Sequence, residues 1–521
     1  MNTDNNLNYS YHKKMFLLIT VSTVIKFIIA STVELGSAEV YYWSYSLNLQ
    51  WNYFDHPPVV AWLIRLTTAN LLLHNELFVR IGAIISSAIC TWLIFKIGKI
   101  IHNRQTGWYA ALLYTSFIYG SLLAGTFILP DSPQMVFWLL SLLVLIRIIH
   151  TPNNNSRHIF QWCLFGLLSG LCIMSKVHGV FLWLGVIMYA LFINRNWLKT
   201  PGLYLSAIIT IIIISPIVIW NFQHDYANYT FHSDRINIAT TKIDIVAFIK
   251  ELVEVAFLVV NPINFYLIYT SISPALKSNA AFDKKDIQLL LFCSLPLLLI
   301  LLFISIFGET KAYWPGPAYS CLLILPAIKS ALAIEEGKRT VPVIIKVSLL
   351  YTLLLVIVEM LVINYYPGTT SSEKDGLSIG KDDLSLDMYG WEEAGKRFDS
   401  LYRSDVATGI MPAEAPVIIT NWFPAAHIEF YIADRTKQQL LGIGNISDLH
   451  QYYYTNKYKR QLRKGDDAYF IVPSNLFNYK TLDVVLNNFQ RYEMPLVISQ
   501  YRSGLICKKV YVFRIRGYKK S

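Results

Sequence analysis

Charged residues and cysteines are scarce in this chain of 521 residues. Charged residues make up 15% of the sequence and hydrophobic residues 54%, a far more apolar balance than that of a soluble protein of this size. Six cysteines are present, but none of the CxxC or Cys/His spacings typical of a zinc site occurs. We therefore expect no disulfide framework and no structural zinc, and we predict a polytopic α-helical membrane protein.

A basic face is also lacking, although the formal net charge is +11. The Lys and Arg residues are scattered between apolar runs, and the sequence has no nucleic-acid-binding motif. Membrane topology and anionic lipid phosphates explain these charges better than nucleic acid does. We therefore predict membrane lipids as partners and no nucleic acid.

About eleven apolar runs come close to the roughly 20 residues that cross a bilayer as a helix. They cover residues 15–34, 77–101, 107–127, 131–149, 159–175, 177–194, 201–221, 247–269, 287–307, 313–334 and 341–364. The first run carries Lys26 in its middle and has no small-residue cleavage site before Glu34. We therefore predict that it is retained and is not a signal peptide.

Lys and Arg concentrate in alternate connections between these runs, as the positive-inside rule requires. The connections that are rich in Lys and Arg carry Lys13, Lys14, Lys96, Lys99, Arg104, Arg147, Arg157, Arg195, Lys199, Lys277, Lys284, Lys285, Lys329, Lys338 and Arg339. The basic residues of the other connections are few, namely Arg65, Lys176, Arg235, Lys242 and Lys311. With an odd number of spans, this pattern predicts a cytoplasmic N-terminus and an extracytoplasmic C-terminus.

Beyond about residue 365 the composition becomes charged and polar. Strand-like runs at 415–420, 467–473 and 509–516 alternate with helix-like segments at 391–403 and 481–489. The polar stretch 367–376 has the character of a linker. We predict a transmembrane domain at residues 1–364 and an extracytoplasmic α/β domain at 365–521.

The first outer loop, residues 34–65, combines acidic and aromatic residues with tandem prolines. Its pattern predicts two short interfacial helices, about 36–48 and 57–71, with aromatic rings at headgroup level. An aromatic belt explains the rings alone, whereas carboxylates among rings at a membrane edge should have raised pKa values and suit proton abstraction. Glu39 is the stronger candidate for the general base, and Glu34 is the second acidic candidate of this stretch.

Asp55 and His56 lie directly before Pro57 and Pro58. Asp before two prolines is a good turn and helix start, which is one explanation of the motif. The functional alternative is that the rigid prolines hold Asp55 and His56 facing a substrate phosphate or sugar.

Each of the remaining outer loops adds charged or aromatic residues. The candidates are Asp131, Lys176, His178, His224, Arg235 and Lys311. Two of these residues also have a purely structural explanation. Asp131 could cap the helix that it begins, and Lys176 could extend its charged end from a helix end to the membrane surface. Lys176 and His178 together suit a phosphate in the headgroup region. The histidines and aspartates of 220–235 lack the spacing of a metal site, so a divalent metal is possible but unsupported.

The cytoplasmic loops carry little beyond the Lys and Arg residues that orient the chain. This asymmetry predicts a working site at the outer membrane interface. It argues against a transporter, which would show charges or broken helices near the bilayer midplane and an internal repeat.

A set of motifs resembles a known family. In chain order they are EVYYW, NYFDHPPVVAW, LPDSP, GLLSGLCIMSKVHGV, SPIVIWNFQHDYANYTF and YWPGPAY. Together they resemble bacterial membrane glycosyltransferases of the GT-C class, in the superfamily of dolichyl-phosphate-mannose protein mannosyltransferases and the lipid A aminoarabinose transferase. The resemblance covers roughly residues 15–330, and beyond 365 it is carried mainly by MYGW at 388–391.

The resemblance implies an enzyme of the inner membrane that takes a hexosyl or pentosyl group from a polyprenyl-phosphate donor at the outer face. The acceptor would be a lipid, a glycan or a protein, and the anomeric centre would be inverted. A transporter or flippase of lipid-linked sugars and a catalytically impaired relative of such enzymes are the alternatives. No cofactor is implied with certainty.

The resemblance also implies roles for the candidate residues. The family's first outer loop carries an Asp-Glu pair, and the matching positions here are Ala38 and Glu39. The base would then be Glu39 with Glu34 or Asp55 assisting, unless the acceptor is already ionised, as a phosphate is. Asp131 and Lys176 match family positions, and His224 lies in a matching WNxxHD segment. The predicted phosphate or donor ligands are Lys176, His178, His56, His224, Arg235 and Lys311.

Overall fold

The computed structural model describes residues 2–152, 156–234, 245–277, 284–308, 310–334 and 341–520. The described chain divides into two compact units, one of residues 1–28 and 56–356 and one of residues 29–55 and 357–521. Most of the first outer loop is therefore grouped with the C-terminal residues, whereas the domains predicted from the sequence are two unbroken stretches. We call the first unit the membrane unit and the second the sheet unit.

Seven helices within the described residues are long and apolar enough to cross a membrane. They are Tyr11–Thr32, Glu76–Ile101, Asp131–Ile149, Arg157–Ser175, Pro201–Gln223, Lys284–Phe307 and Val343–Tyr365. Each coincides with a predicted apolar run, so the prediction of a polytopic helical membrane protein is confirmed.

The other four predicted runs form shorter or interrupted helices. The elements are Arg104–Thr115 with the π-turn Tyr119–Leu123, the 3-10 turn Val177–Gly179 with Val180–Phe192, Ile245–Glu254 with the π-turn Val255–Val260 and Pro262–Lys277, and Gly316–Leu322 with Ile324–Leu332. One interruption has a clear cause, because Asn261 adopts a φ of 82° and Pro262 has no backbone N–H to continue the preceding helix.

Buried polar side chains join this interruption to the end of the helix Arg104–Thr115 and to the helix Val343–Tyr365. The Asn261 side-chain amide donates to the carbonyl oxygens of Ser116 at 3.2 Å and Ser348 at 3.0 Å. The hydroxyl of Thr352 donates to the Ser116 carbonyl at 2.7 Å. Non-helical backbone at membrane depth is tolerated only where such partners satisfy it.

Glycines allow close contact between several helices of the membrane unit. A Cβ atom on Gly166 would lie 2.5 Å from the carbonyl oxygen of Ser206, and one on Gly107 would lie 2.4 Å from the carbonyl oxygen of Phe95. Small residues at such positions let membrane helices approach closely and gain van der Waals contact.

The first outer loop forms the two short helices expected of it. They run over Ser37–Leu47 and Val59–Thr67, inside the predicted stretches. The remaining short helices before residue 343 are Arg195–Lys199, a 3-10 turn, and Ala227–Asp234.

The sheet unit contains a mixed sheet. Its strands are β1 (Val417–Ile419), β2 (Leu440–Gly442), β3 (Ala468–Pro473), β4 (Phe489–Tyr492), β5 (Leu496–Arg502) and β6 (Leu505–Tyr518). The order is β2-β1-β3-β6-β4, with β5 also paired to β6. β1 pairs in parallel with β2 and β3, whereas β6 is antiparallel to its neighbours. The predicted α/β character of this part is confirmed.

Helices and helical turns connect these strands. They are Leu384–Met388, Trp391–Ala407, Trp422–His427, Ile428–Ala433, Asp434–Thr436, Ile446–Leu449, Gln451–Thr455, Asn456–Tyr458, Ser474–Leu476 and Tyr479–Asn488. The stretch 367–376, predicted as a linker, is bonded to its own unit. Arg502 donates from Nε to the carbonyl of Gly368 at 2.9 Å, and the hydroxyl of Thr369 donates to Asp383 at 2.6 Å.

The contact at Gly166 gives a prediction about stability. Gly166→Ala should destabilise the membrane unit by roughly 1–3 kcal/mol, because the new methyl group meets backbone atoms of Ser206 that cannot move aside alone. Thermal unfolding of the detergent-solubilised protein measures this change. Leu167→Ala is the control, since Leu167 is 42% exposed on the same helix. Equal melting temperatures for Gly166→Ala and the unmodified protein would contradict the argument.

Candidate active site

An ion pair between Asp131 and Lys176 lies buried in the membrane unit. Lys176 Nζ is 2.8 Å from Oδ1 and 2.9 Å from Oδ2 of Asp131, and the two residues are 2% and 1% exposed. Asp131 opens the helix Asp131–Ile149, and Lys176 has extended backbone just after the helix Ser156–Ser175. Two outer loops thus bring their charged residues together.

Tyr119 completes the surroundings of the carboxylate. Its hydroxyl donates to Asp131 Oδ1 at 2.8 Å. Its ring lies so close to Gly316 that a Cβ atom there would be 2.4 Å from the ring carbons. Glycine at position 316 is therefore needed for the loop after residue 310 to approach Tyr119.

Aromatic residues of that same loop contact the basic residues. Lys176 Nζ lies 4.9 Å from the centre of the Tyr313 ring, close enough for a cation–π attraction. The rings of His178 and Trp314 have centres 5.3 Å apart. Lys311 is exposed in this loop, so three predicted outer loops converge here.

This geometry rules out the two structural alternatives for the pair. The carboxylate of Asp131 bonds Lys176 and Tyr119, and the residue that caps its helix is Pro130, with no side-chain cap. Lys176 does not snorkel, because its side chain is almost fully buried. Burying two charges is expensive and rarely adds stability by itself, so the pair is a functional candidate.

The other predicted donor ligands lie in different surroundings. The His224 ring stacks on Trp220 with centres 4.1 Å apart, and its Nδ1 lies 2.8 Å from the Trp220 carbonyl oxygen. His56 is half-buried directly before the prolines. Arg235 lies outside the described residues.

In the sheet unit, Glu34 caps a helix. Its carboxylate oxygens accept hydrogen bonds from the backbone N–H groups of Trp391 at 2.7 Å and Glu392 at 3.0 Å. The preceding residue, Gly390, has a φ of 84° and no side chain with which to cap the helix. A carboxylate at this end satisfies unpaired N–H groups and the helix dipole. The geometry therefore gives Glu34 a structural role.

Glu39 is 2% exposed and lies in the first turn of the helix Ser37–Leu47. Its Oε2 accepts a hydrogen bond from the N–H of Gly36 at 3.0 Å. This bond is the half of a capping box that an acidic residue at the third helical position supplies. It also fixes the direction of the carboxylate that we predict to be the base.

Asp55 pairs with a histidine that sequence reasoning did not find. Asp55 Oδ2 lies 3.3 Å from Nδ1 of His450. His450 has a φ of 50° and a ψ of −128°, a strained conformation for a residue with a side chain. Its ring stacks on Trp422 with centres 5.3 Å apart. The two partners are far apart in sequence, so no local pattern links them.

Three further groups around residues 34–39 were also missed. Asp387 Oδ2 accepts from the N–H of Ser37 at 2.9 Å, and His427 Nε2 lies 3.0 Å from the carbonyl oxygen of Leu35. Lys508 Nζ donates to the Tyr389 carbonyl at 2.6 Å. The MYGW motif at 388–391, which carries the resemblance beyond residue 365, directly follows Asp387 and contains Tyr389.

Burial dominates the protonation of these groups. It raises the pKa of Asp387 to about 6, against the opposing effects of the Ser37 hydrogen bond and the Lys508 charge. It lowers the pKa of His427 to about 3 and that of Lys508 to about 8. At neutral pH His427 is therefore uncharged.

Within the described residues, no three His, Cys, Asp or Glu side chains come together as metal ligands do.

Comparison with known proteins identifies the architecture. The family model described as dolichyl-phosphate-mannose-protein mannosyltransferase matches residues 55–220. The crystal structure of ArnT from Cupriavidus metallidurans bound to undecaprenyl phosphate superposes with a TM-score of 0.63 at 12% identity, over 95% of this chain and 97% of that one. The chain has the GT-C fold. The expected fold class and the resemblance are confirmed.

Two curated relatives share parts of this GT-C chain. Lipid A galacturonosyltransferase RgtD of Rhizobium johnstonii is 23% identical over 302 residues, which are 58% of this chain and 62% of that protein. An undecaprenyl phosphate-alpha-4-amino-4-deoxy-L-arabinose arabinosyl transferase of Pseudomonas fluorescens is 30% identical over 146 residues, or 28% and 25% of the two chains. The chain thus spans less than two thirds of either relative. Asp131 and Lys176 both fall inside the segment matched by the family model.

The Glu34 cap yields a prediction about stability. Glu34→Ala should destabilise the sheet unit by about 1–2 kcal/mol, because the first N–H groups of the helix Trp391–Ala407 lose their acceptor. Thermal unfolding measures the loss. Glu393→Ala is the control, since among the described residues that exposed side chain of the same helix forms an ion pair only with Arg397, four positions later. Loss of activity in Glu34→Ala at unchanged stability would instead assign the residue to the chemistry.

The raised pKa of Asp387 yields a prediction about pH. Its folded-state pKa of about 6 exceeds the ordinary 3.8, so the folded state binds the proton more tightly. The contribution of Asp387 to stability should be greatest below about pH 4 and be lost by about pH 6, as the buried carboxyl ionises. Asp387→Asn stays neutral and should gain roughly 1–3 kcal/mol at pH 7 relative to the unmodified protein.

Melting temperatures from pH 4 to pH 7 check this difference. Asp375→Asn serves as the control, because Asp375 is exposed in the same unit. Parallel pH profiles for Asp387→Asn and the unmodified protein would show that Asp387 does not titrate as argued.

Proposed function

We propose that this chain is a glycosyltransferase that moves a sugar from a polyprenyl-phosphate donor to an acceptor at the outer face of the inner membrane. The GT-C fold supports the reaction class, and both curated relatives are named as sugar transferases. One relative is named for an undecaprenyl phosphate-linked donor and the other for lipid A. A lipid acceptor of the lipid A type is therefore favoured over a glycan or a protein.

The observation that carries this proposal is the buried pair of Asp131 and Lys176. A fixed ammonium group in a water-poor site stabilises negative charge that develops on a departing phosphate. Tyr119 donates to the carboxylate of Asp131, and this carboxylate balances the charge of Lys176 in the resting site. In this proposal Lys176, with His178 and Lys311, receives the lipid phosphate as the glycosidic bond breaks, and Arg235 is a further candidate.

A cavity beside Lys311 fits the lipid part of such a donor. Its volume is about 240 Å³, and its described lining includes five leucines of the helix Lys284–Phe307 and Leu252 of the helix Ile245–Glu254. The polar residues Glu251, Thr310 and Lys311 also line it, and the Thr310 hydroxyl donates to Glu251. An apolar groove with a polar, partly cationic lining suits a prenyl chain that ends in a phosphate.

The proposed reaction is an in-line displacement at the anomeric carbon. An acceptor oxygen forms a bond to that carbon, the bond to the phosphate oxygen breaks, and the electron pair leaves with the lipid phosphate. This step inverts the anomeric configuration. In this proposal Glu39 takes the acceptor proton, and Asp55, which pairs with His450, is the assisting acid. The donor that the enzyme accepts determines whether a hexose or a pentose is transferred.

The topology proposed from the charge pattern agrees with this site. Lys and Arg residues in alternate connections orient the N-terminus to the cytoplasm and the sheet unit to the extracytoplasmic side. Asp131, Lys176, His178 and Lys311 then all belong to outer connections, where a flipped lipid-linked sugar is presented.

Transfer of labelled sugar from a purified polyprenyl-phosphate donor, in detergent, tests this function. Lys176→Met should lower kcat/KM by roughly 10²–10³, but it leaves a buried carboxylate unpaired, which alone costs about 3–5 kcal/mol of stability. The double variant Asp131→Asn with Lys176→Met removes both charges and should fold while remaining inactive. Lys199→Ala, an exposed residue of a cytoplasmic connection, is the control and should stay active.

The same assay examines the base. Glu39→Gln should lower kcat and leave donor binding unchanged, because its amide cannot take the acceptor proton. If Glu39→Gln alone stays active, the acceptor is already ionised. If the Lys176 and Glu39 variants are all fully active, the proposed site is wrong. Detergent has no second compartment, so any transfer at all also excludes a pure flippase.

A further inference from the structure

A second cavity lies in the sheet unit, at the carboxyl ends of two parallel strands. Its volume is about 160 Å³, and residues from the ends of β1 and β3 and from the segments that follow them line it. The chain leaves β1 toward β2 on one side, whereas it leaves β3 through the helix Tyr479–Asn488 toward β4 on the other side. The cavity therefore lies at a topological switch point, where open α/β sheets bind their ligands.

Four polar side chains line this cavity, namely Thr420, Asn421, Asn478 and Thr481. The Oδ1 atoms of the two asparagines accept from the N–H groups of Phe423 and Lys480 and so begin the two following helices. These bonds fix both carboxamides while their NH₂ groups make no hydrogen bond within the described residues. The two threonine hydroxyls likewise bond no described residue. The lining of this small space thus includes both donor and acceptor groups.

The lining also defines the class of ligand. None of the described residues that line the cavity is charged, so the site offers no cationic side chain to balance the charge of a phosphate or a carboxylate. Phe423 and Pro424 add apolar ring surface beside the polar groups. The volume falls below the roughly 300–1,000 Å³ of sites for drug-sized molecules. A single neutral ring that carries several hydroxyl groups matches this size and polarity.

We propose that the sheet unit binds a neutral sugar ring at the carboxyl ends of β1 and β3. Hydroxyl groups of the sugar both donate and accept, so they pair with the carboxamide NH₂ groups of Asn421 and Asn478 and with the hydroxyls of Thr420 and Thr481. The ring of Phe423 packs on an apolar face of the sugar. This inference does not depend on the proposed transfer reaction, since no residue assigned to that reaction lines the cavity.

Saturation-transfer difference NMR on the full-length protein in detergent tests the proposal. The probes are glucose, galactose and mannose, with galacturonate and inorganic phosphate as charged comparisons. At least one neutral hexose should receive saturation. The double variant Asn421→Asp with Asn478→Asp keeps both helix-capping oxygens but replaces both NH₂ donors. It should bind that hexose roughly tenfold more weakly, because two hydrogen bonds are lost.

Asn445→Asp is the matched control. Asn445 caps the helix Ile446–Leu449 through the same kind of bond, to the N–H of Asp448 at 3.0 Å, and it does not line the cavity. This variant should bind as the unmodified protein does. Thr481→Trp, which fills the cavity from its rim, should abolish binding, and melting temperatures verify that each variant is folded.

Three results would overturn the proposal. The first is that no neutral hexose receives saturation. The second is equal binding by the folded cavity variants and the Asn445→Asp control, which would put the sugar elsewhere. The third is preferential binding of galacturonate or phosphate at this cavity, which would contradict the ligand class read from its uncharged lining.

Discussion

The buried ion pair of Asp131 and Lys176 is the constraint around which the membrane unit is arranged. A charged pair so fully removed from water is tolerated only when each charge has its partner in place. That requirement fixes the start of one helix, the end of another and the position of Tyr119, whose hydroxyl shares the same carboxylate. Gly316 and Tyr313 then bring the loop after residue 310 against this group.

The sheet unit holds the acidic part of the first outer loop in a defined conformation. Glu34 caps the helix Trp391–Ala407, and Asp387 accepts from Ser37. The hydroxyl of Tyr431 accepts from the N–H of Leu35 at 2.7 Å. Residues 34–39 are thereby bonded to C-terminal elements on several sides. The direction of the Glu39 carboxylate depends on this support as much as on its own helix.

Much of the architecture follows from the sequence because hydropathy and charge act over short stretches. Seven of the eleven long apolar runs form helices that can cross a membrane within the described residues, and the strand-like runs at 467–473 and 509–516 become β3 and β6. The prediction was less accurate at 247–269, where Asn261 and Pro262 interrupt a run that hydropathy alone reads as one span. The stretch 367–376 was also misread as a linker, since the carbonyl of Gly368 accepts from Arg502 of β5 and the hydroxyl of Thr369 donates to Asp383.

Among the candidate residues, the sequence by itself determined which connections between apolar runs carry charge, and it predicted that Asp131, Lys176 and His178 lie on one side of the membrane. Only the tertiary structure decided which of them meet. The lysine and its aspartate are 45 residues apart, Glu34 and Trp391 are 357 residues apart, and Asp55 meets His450 across most of the chain. No local pattern encodes such pairs, because packing between distant elements selects them after the helices and strands have formed.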